Sequence, residues 1–127
     1  MGGTGGGGTV FDLTPSGGSW NLNTLYDFDG TTLGAQYRTL VMDKTGNLYG
    51  TSSGDGVNQP GSIFKLTWSN GAWTYTSLHD FTGTGPDAGY PQGGLVMDVD
   101  GNLYGTASMG GSGCGDVGCG LIFEITP

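Results

Sequence analysis

Few residues in this chain are equipped for chemistry, and their spacing narrows what that chemistry could be. The one histidine, His79, stands in Leu78-His79-Asp80-Phe81, and a sister segment, Leu25-Tyr26-Asp27-Phe28, carries tyrosine in its place. A general base shared by the two segments is therefore excluded, and His79 is expected to be a solvated strand residue. No serine or cysteine nucleophile has a His–Asp partner that the sequence nominates. Carboxylates recur in pairs, Asp27 with Asp80 and Asp43 with Asp98. A glycosidase needs two carboxylates flanking one bond, so recurrence at the same repeat position reads instead as a structural device.

Asp98-Val99-Asp100-Gly101-Asn102 opens like a calcium loop, which makes Asp98, Asp100 and Asn102 a calcium candidate. The bidentate Glu that would complete such a loop is missing, and the sister copy has Thr45 in place of Asp100. A hairpin turn in which Asp and Asn satisfy nearby backbone groups accounts for both copies. Cys114 and Cys119 lie in Cys-Gly-Asp-Val-Gly-Cys. Two cysteines without companion ligands cannot complete a structural zinc site, and the spacing is not that of a Cys-x-x-Cys redox pair. A local disulfide pinning a glycine-rich loop is the preferred reading, with two free thiols as the alternative; the disulfide implies an oxidising, extracellular compartment. Trp20, Trp68, Trp73 and Tyr75 gather around one type of strand and its turn. Exposed rings of this kind can stack on sugars, although the same residues also fill gaps between packed sheets, which is the favoured reading. No catalytic residue and no cofactor is expected.

The elements that carry these residues repeat. Leu40-Val41-Met42-Asp43-Lys44-Thr45-Gly46-Asn47-Leu48-Tyr49-Gly50-Thr51 returns 55 positions later as Leu95-Val96-Met97-Asp98-Val99-Asp100-Gly101-Asn102-Leu103-Tyr104-Gly105-Thr106. Val10-Phe11-Asp12-Leu13-Thr14 returns as Ile63-Phe64-Lys65-Leu66-Thr67 and again as Ile122-Phe123-Glu124-Ile125-Thr126. Each block reads as a strand, and Gly and Asn in the connections mark tight turns. Four strands per repeat follow: A (40–43), B (48–51), C (63–67) and D (73–81). Such a meander of roughly 50 residues matches a β-propeller blade.

Strand C carries Phe64 and Leu66 on one face and Ile63 on the other, and strand A places Leu95 and Met97 opposite Val96. Apolar residues on both faces require that both faces be covered, as in stacked blades. The predicted fold is therefore all-β, built of tandem four-strand antiparallel blades of β-propeller type, about two and a quarter per chain. The predicted boundaries are a partial blade of strands C and D over 3–38, a complete repeat over 39–93, and a partial blade of strands A to C over 94–127. Propellers typically close with about four to eight blades, so the open terminal edges are expected to pair with other copies of the chain, in a ring or a filament. Which strand C would be kept at such a junction is left open by the sequence.

The 29 glycines follow no three-residue period, which excludes collagen, and the five Phe, six Tyr and three Trp argue against a disordered linker. A formal charge of −8, with Arg38, Lys44 and Lys65 the basic residues, disfavours nucleic acid and anionic membranes. No apolar run reaches transmembrane length. The start, Met1-Gly2-Gly3-Thr4, lacks the basic and apolar regions of a signal peptide. The expectation is that a signal was removed or that the segment was cut from something longer.

The motifs Gly-Thr-Val-Phe-Asp-Leu-Thr-Pro (8–15), Leu-Tyr-Asp-Phe-Asp-Gly (25–30) and Gly-Asn-Leu-Tyr-Gly-Thr (46–51 and 101–106) are specific. Together with the glycine-rich approach at 110–120, they resemble the GloVer-type tandem repeat of choice-of-anchor bacterial surface proteins. The resemblance covers nearly the whole chain and implies an exported, surface-attached repeat protein of propeller type, with no enzymatic activity to carry over. The sequence shows neither an export signal nor an anchor, a departure from that pattern. The resulting expectation is a non-enzymatic extracellular structural protein that assembles with copies of itself; the alternative is a carbohydrate-binding, lectin-like propeller module with glycans as partners.

Overall fold

A computed structural model describes residues 6–29, 39–54, 60–115 and 118–126. Residues 3–5 and 30–38 of the 3–38 segment, Arg38 among them, lie outside these residues. The described chain forms ten strands and no α-helix. They are β1 (Thr9–Ser16), β2 (Ser19–Asp27), β3 (Val41–Met42), β4 (Leu48–Ser52), β5 (Ser62–Ser69), β6 (Ala72–Asp80), β7 (Gly89–Pro91), β8 (Val96–Met97), β9 (Leu103–Met109) and β10 (Leu121–Ile125). Strands β1 and β2 pair as one sheet, β3-β4-β5-β6 form a four-strand meander, and β10-β9-β7, with β8 also on β9, form the third sheet. All ladder pairs are antiparallel. The fold is all-β, an open succession of antiparallel sheets rather than a closed propeller.

The turns follow from local residue chemistry. Gly17-Gly18 and Asn70-Gly71 both have positive φ, as the two-residue hairpins β1–β2 and β5–β6 require. The A–B connections differ from a two-residue turn. Gly46 N–H donates to Asp43 O (3.1 Å) and Asp43 N–H to Asn47 O (3.0 Å), closing a three-residue loop whose last residue, Gly46, has φ of 86°. This is a type I turn followed by a left-handed glycine, and Asp98 to Asn102 repeat it. The Asp100-Gly101 pair thus sits one place further along the turn than a two-residue hairpin would put it. Strands C and D also repeat a bulge: the register shifts between Val10 and Phe11 in one copy and between Ile63 and Phe64 in the next.

The short strand β7 was not foreseen. It pairs with the far end of β9 through Gly89–Met109 and Pro91–Ala107, ahead of β8 on the same side. Its Pro91 offers no N–H, and Tyr90 has positive φ, so the pattern there does not read as a strand.

Two clusters of buried side chains hold the sheets together. One joins the first and second sheets through Val10, Phe28, Leu48, Phe64 and Leu66. The other joins the second and third through Tyr49, Ile63, Phe81, Ala88, Leu95, Leu103 and Ala107. Strand β5 contributes to both, because Phe64 and Leu66 point one way and Ile63 the other, and all three are fully buried. The ends of the chain behave differently at the same repeat positions. Phe11 and Leu13 are 52% and 51% exposed, and Ile122 is 79% exposed, against 0% for Phe64, Leu66 and Ile63.

Close approach of strands B and C depends on glycine. Gly50 lies opposite Phe64 and Gly105 opposite Phe123, and the aromatic ring covers the glycine in each pair. A Cβ on Gly50 would sit 2.6 Å from Phe64 Cζ and 2.8 Å from Leu40 Cδ2. Gly50→Ala should therefore cost about 1–3 kcal/mol through overpacking. Ile63→Ala should cost about 2–5 kcal/mol, whereas Ile122→Ala, at the equivalent position, should stay within about 0.5 kcal/mol. Urea unfolding of dilute protein checks all three.

Candidate functional site

The recurring carboxylates are turn clamps. Asp43 Oδ1 accepts from Thr45 N–H (2.8 Å), Thr45 Oγ1 (2.8 Å) and Asn47 N–H (2.9 Å). Its Oδ2 accepts from Asn47 Nδ2 (2.7 Å) and Tyr49 O–H (3.0 Å). Asp98 repeats the arrangement with Asp100 N–H, Asn102 N–H, Asn102 Nδ2 and Tyr104 O–H, at 2.8 to 3.1 Å. One carboxylate thus fastens a turn and the following strand B, which explains the spacing Asp-x-x-Gly-Asn-Leu-Tyr. Of the calcium candidates, Asp98 uses both oxygens on these donors, and Asn102 turns its amide N toward Asp98 and its Oδ1 toward Thr126 (2.9 Å). Among the described residues, no group of three or more His, Cys, Asp or Glu is placed to hold a metal ion.

The clamps alter acidity. Burial raises the Asp43 carboxyl, and the side-chain and backbone donors of Asn47 and Thr45 outweigh it, leaving the group well below the ordinary carboxylate range. The Asn102 amide is the main cause of the same lowering at Asp98. The Tyr104 phenol is raised, by desolvation first and then by donating to the Asp98 carboxylate.

The other predicted residues separate. Asp80 accepts from Ser77 Oγ (2.7 Å), while its sister Asp27 has a buried Oδ1 with no partner among the described residues. His79 is not simply solvated: its Nε2 lies 3.1 Å from Asp87 Oδ1, and its ring meets Phe81 edge-on at 4.9 Å. Asp87 also accepts from Thr82 N–H and Ala88 N–H, both at 2.8 Å, closing the loop that follows strand β6. Burial raises the Asp87 carboxyl, and these donors overcome it to leave a net lowering. Sequence reasoning missed Asp87; the signal was Pro86-Asp87-Ala88-Gly89, a turn segment with an acid at its centre. It also passed over Gly50-Thr51-Ser52-Ser53-Gly54, which has the spacing of a nucleophile elbow. Ser52 is fully buried within β4 and paired with β5.

Cys114 and Cys119 form a disulfide with Cα atoms 5.3 Å apart. Inside it Gly118 N–H donates to Gly115 O (3.2 Å), and beyond it Gly120 N–H donates to Gly110 O (3.1 Å), so the bond fastens the loop that delivers β10 to β9.

The four aromatic candidates fall into three places. Tyr75 is stacked between Tyr26 (5.2 Å) and Phe64 (5.5 Å) within the core. Trp20 lies exposed on the first sheet. Trp68 and Trp73, cross-strand partners in β5 and β6 with ring centroids 5.5 Å apart, line a groove of about 600 Å³. Asp12 of β1, Asn23 of β2, and Thr45 and Asn47 of the clamped turn line it as well. Asn23 Nδ2 donates to Asp12 Oδ1 at 2.7 Å. This groove combines aromatic rings with polar groups, and it can hold an uncharged polar molecule having one apolar face.

Sheets that repeat the same clamp, bulge and cross-strand Gly–Phe pair define a tandem-repeat, all-β protein. The chain belongs to the Gloeobacter/Verrucomicrobia repeat family, whose model matches residues 1–127. No curated protein and no solved structure gives a match.

The lowered folded-state acidities of Asp43 and Asp98 give a signed prediction. Their clamps contribute full stability above the unfolded carboxylate value of about 4, and lose it as pH falls through the lower folded values. Stability should be level from neutrality to about pH 5 and should decline below about pH 4. Replacing Asp43 and Asp98 by Asn should lower the neutral-pH melting temperature and flatten that decline, as thermal unfolding across pH would record. Cys114→Ser with Cys119→Ser should cost about 2 kcal/mol, from the chain entropy of so short a loop, measured against the parent under oxidising conditions.

Proposed function

We propose that this protein is a non-enzymatic, extracellular structural repeat protein whose sheets continue into those of another copy of the same chain. One observation carries the reading: residues buried or half-buried at the internal junctions recur, exposed, at the two ends. At the leading end Phe11, Leu13, Trp20 and Leu22 stand where Phe64, Leu66, Trp73 and Tyr75 pack against the preceding sheet. At the trailing end Val96 and Ile122 stand where Val41 and Ile63 pack against the following sheet. The two exposed faces are different and complementary in kind, which favours a head-to-tail contact over a two-fold dimer.

The open edges add to this. Among the described residues β1 pairs only with β2 and β10 only with β9. Among the described residues Phe11 has no strand B glycine beside it, unlike Phe64 and Phe123. Stacking of faces needs neither strand C to be displaced, so the duplicated strand poses no obstacle. Whether successive contacts close a ring or extend as a filament follows from the rotation at each junction. The disulfide and the surface-protein family support placement outside the cell, where thiols oxidise.

Light scattering over a concentration series is the test. The expected result is a mass that rises above the monomer with concentration and that falls back to the monomer in Ile122→Asp and in Phe11→Asp, each folded by circular dichroism. A monomer at every concentration would overturn the reading and would leave these faces to further repeats of one polypeptide. Electron microscopy of the associated sample separates rings from filaments.

A further inference from the structure

We infer that the groove between the first and second sheets is a binding site for a neutral glycan, with Trp68 as the stacking surface and Asp12 and Asn23 as the hydroxyl-recognising pair. The proposal stands apart from self-association, because the groove is complete within one chain.

The chemistry of the walls is unlike that of the sheet junctions beside it. Where the two sheets meet in the core, the contacts are apolar and closed, with Tyr26, Phe28, Phe64 and Tyr75 in mutual ring contact. The groove lies between residues of the same two sheets. Trp68 is 57% exposed, with Trp73 beside it. The equivalent of Trp68 in the first hairpin is Pro15, so the ring is not a requirement of the repeat.

The groove is also lined by oriented polar groups. Asn23 Nδ2 is held by Asp12 Oδ1 at 2.7 Å and lies 3.4 Å from Thr14 Oγ1. Among the described residues this leaves Asp12 Oδ2 and Asn23 Oδ1 as acceptors. A pyranose presents an apolar face of C–H groups and a rim of hydroxyl donors, which suits one aromatic wall and one wall of acceptors. The charge selects among sugars. Among its described lining residues the groove has a carboxylate and no Lys or Arg, in a chain of net charge −8, so uronic-acid and sulfated glycans are repelled. The turn that contributes Thr45, Gly46 and Asn47 to the lining is held by the Asp43 clamp, so this part of the site is shaped before ligand arrives.

The test is a titration of the whole chain with neutral hexasaccharides of β-1,4-glucan, β-1,3-glucan and β-1,4-mannan, and with oligogalacturonate as the acidic comparison. Indole N–H resonances of Trp68 and Trp73 report the groove, and Trp20 serves as an internal reference. The expected result is a saturable shift of Trp68 and Trp73 with at least one neutral oligosaccharide, none of Trp20, and none with the acidic one. Trp68→Ala should weaken binding by about tenfold or more, Asp12→Ala should weaken it as well, and Trp20→Ala should leave it unchanged. Absence of a saturable shift with all three neutral oligosaccharides at millimolar concentration would overturn the proposal, as would tighter binding of the acidic one or equal loss in Trp20→Ala and Trp68→Ala.

Discussion

Strand C of this repeat buries large side chains on both of its faces, and the rest of the architecture answers to that constraint. Phe64 and Leu66 need a cover on one side and Ile63 on the other. A single antiparallel sheet leaves one face wet, so a unit built around such a strand is stable only between neighbours. The middle sheet has both neighbours within the chain. The first and third each have one, and their unmatched residues stand in solvent. Burial of a residue is therefore set by its copy number and not by its motif.

Close stacking in turn demands precise strand geometry. The ring of Phe64 reaches across to Gly50 because that position has no side chain, and Phe123 does the same over Gly105. Asp43 and Asp98 hold the three-residue turns that align strands A and B for this crossing. The carboxylates, which as isolated residues invite thoughts of catalysis or calcium, here satisfy the N–H groups that a tight turn would otherwise leave to water. Using them in this way takes the recurrent acids out of competition for a ligand.

What remains for recognition is what the repeat does not need. The exposed Trp68 with the Asp12–Asn23 pair departs from the equivalent residues in other copies, where Pro15, Lys65 and Thr76 stand. Regular positions support the stack, and irregular ones collect at its edges and grooves. The same division holds for His79 and Asp87: His79 stands where the sister strand has a tyrosine, and Asp87 fastens the loop that follows β6.

The sequence by itself determined the repeat, the all-β class, the glycine turns and the demand that both faces of strand C be covered, since period and turn residues report local backbone geometry. It also marked the recurrent aspartates as structural by their recurrence alone. Tertiary structure alone decided which copy of each apolar residue is buried, that Tyr75 belongs to the core while Trp68 borders a groove, that Asp87 meets His79, and that β7 joins β9. In each case the deciding contact joins residues whose neighbours in the chain say nothing of one another. Identical motifs carry identical local preferences, and only packing between sheets can make Ile63 interior and Ile122 exposed.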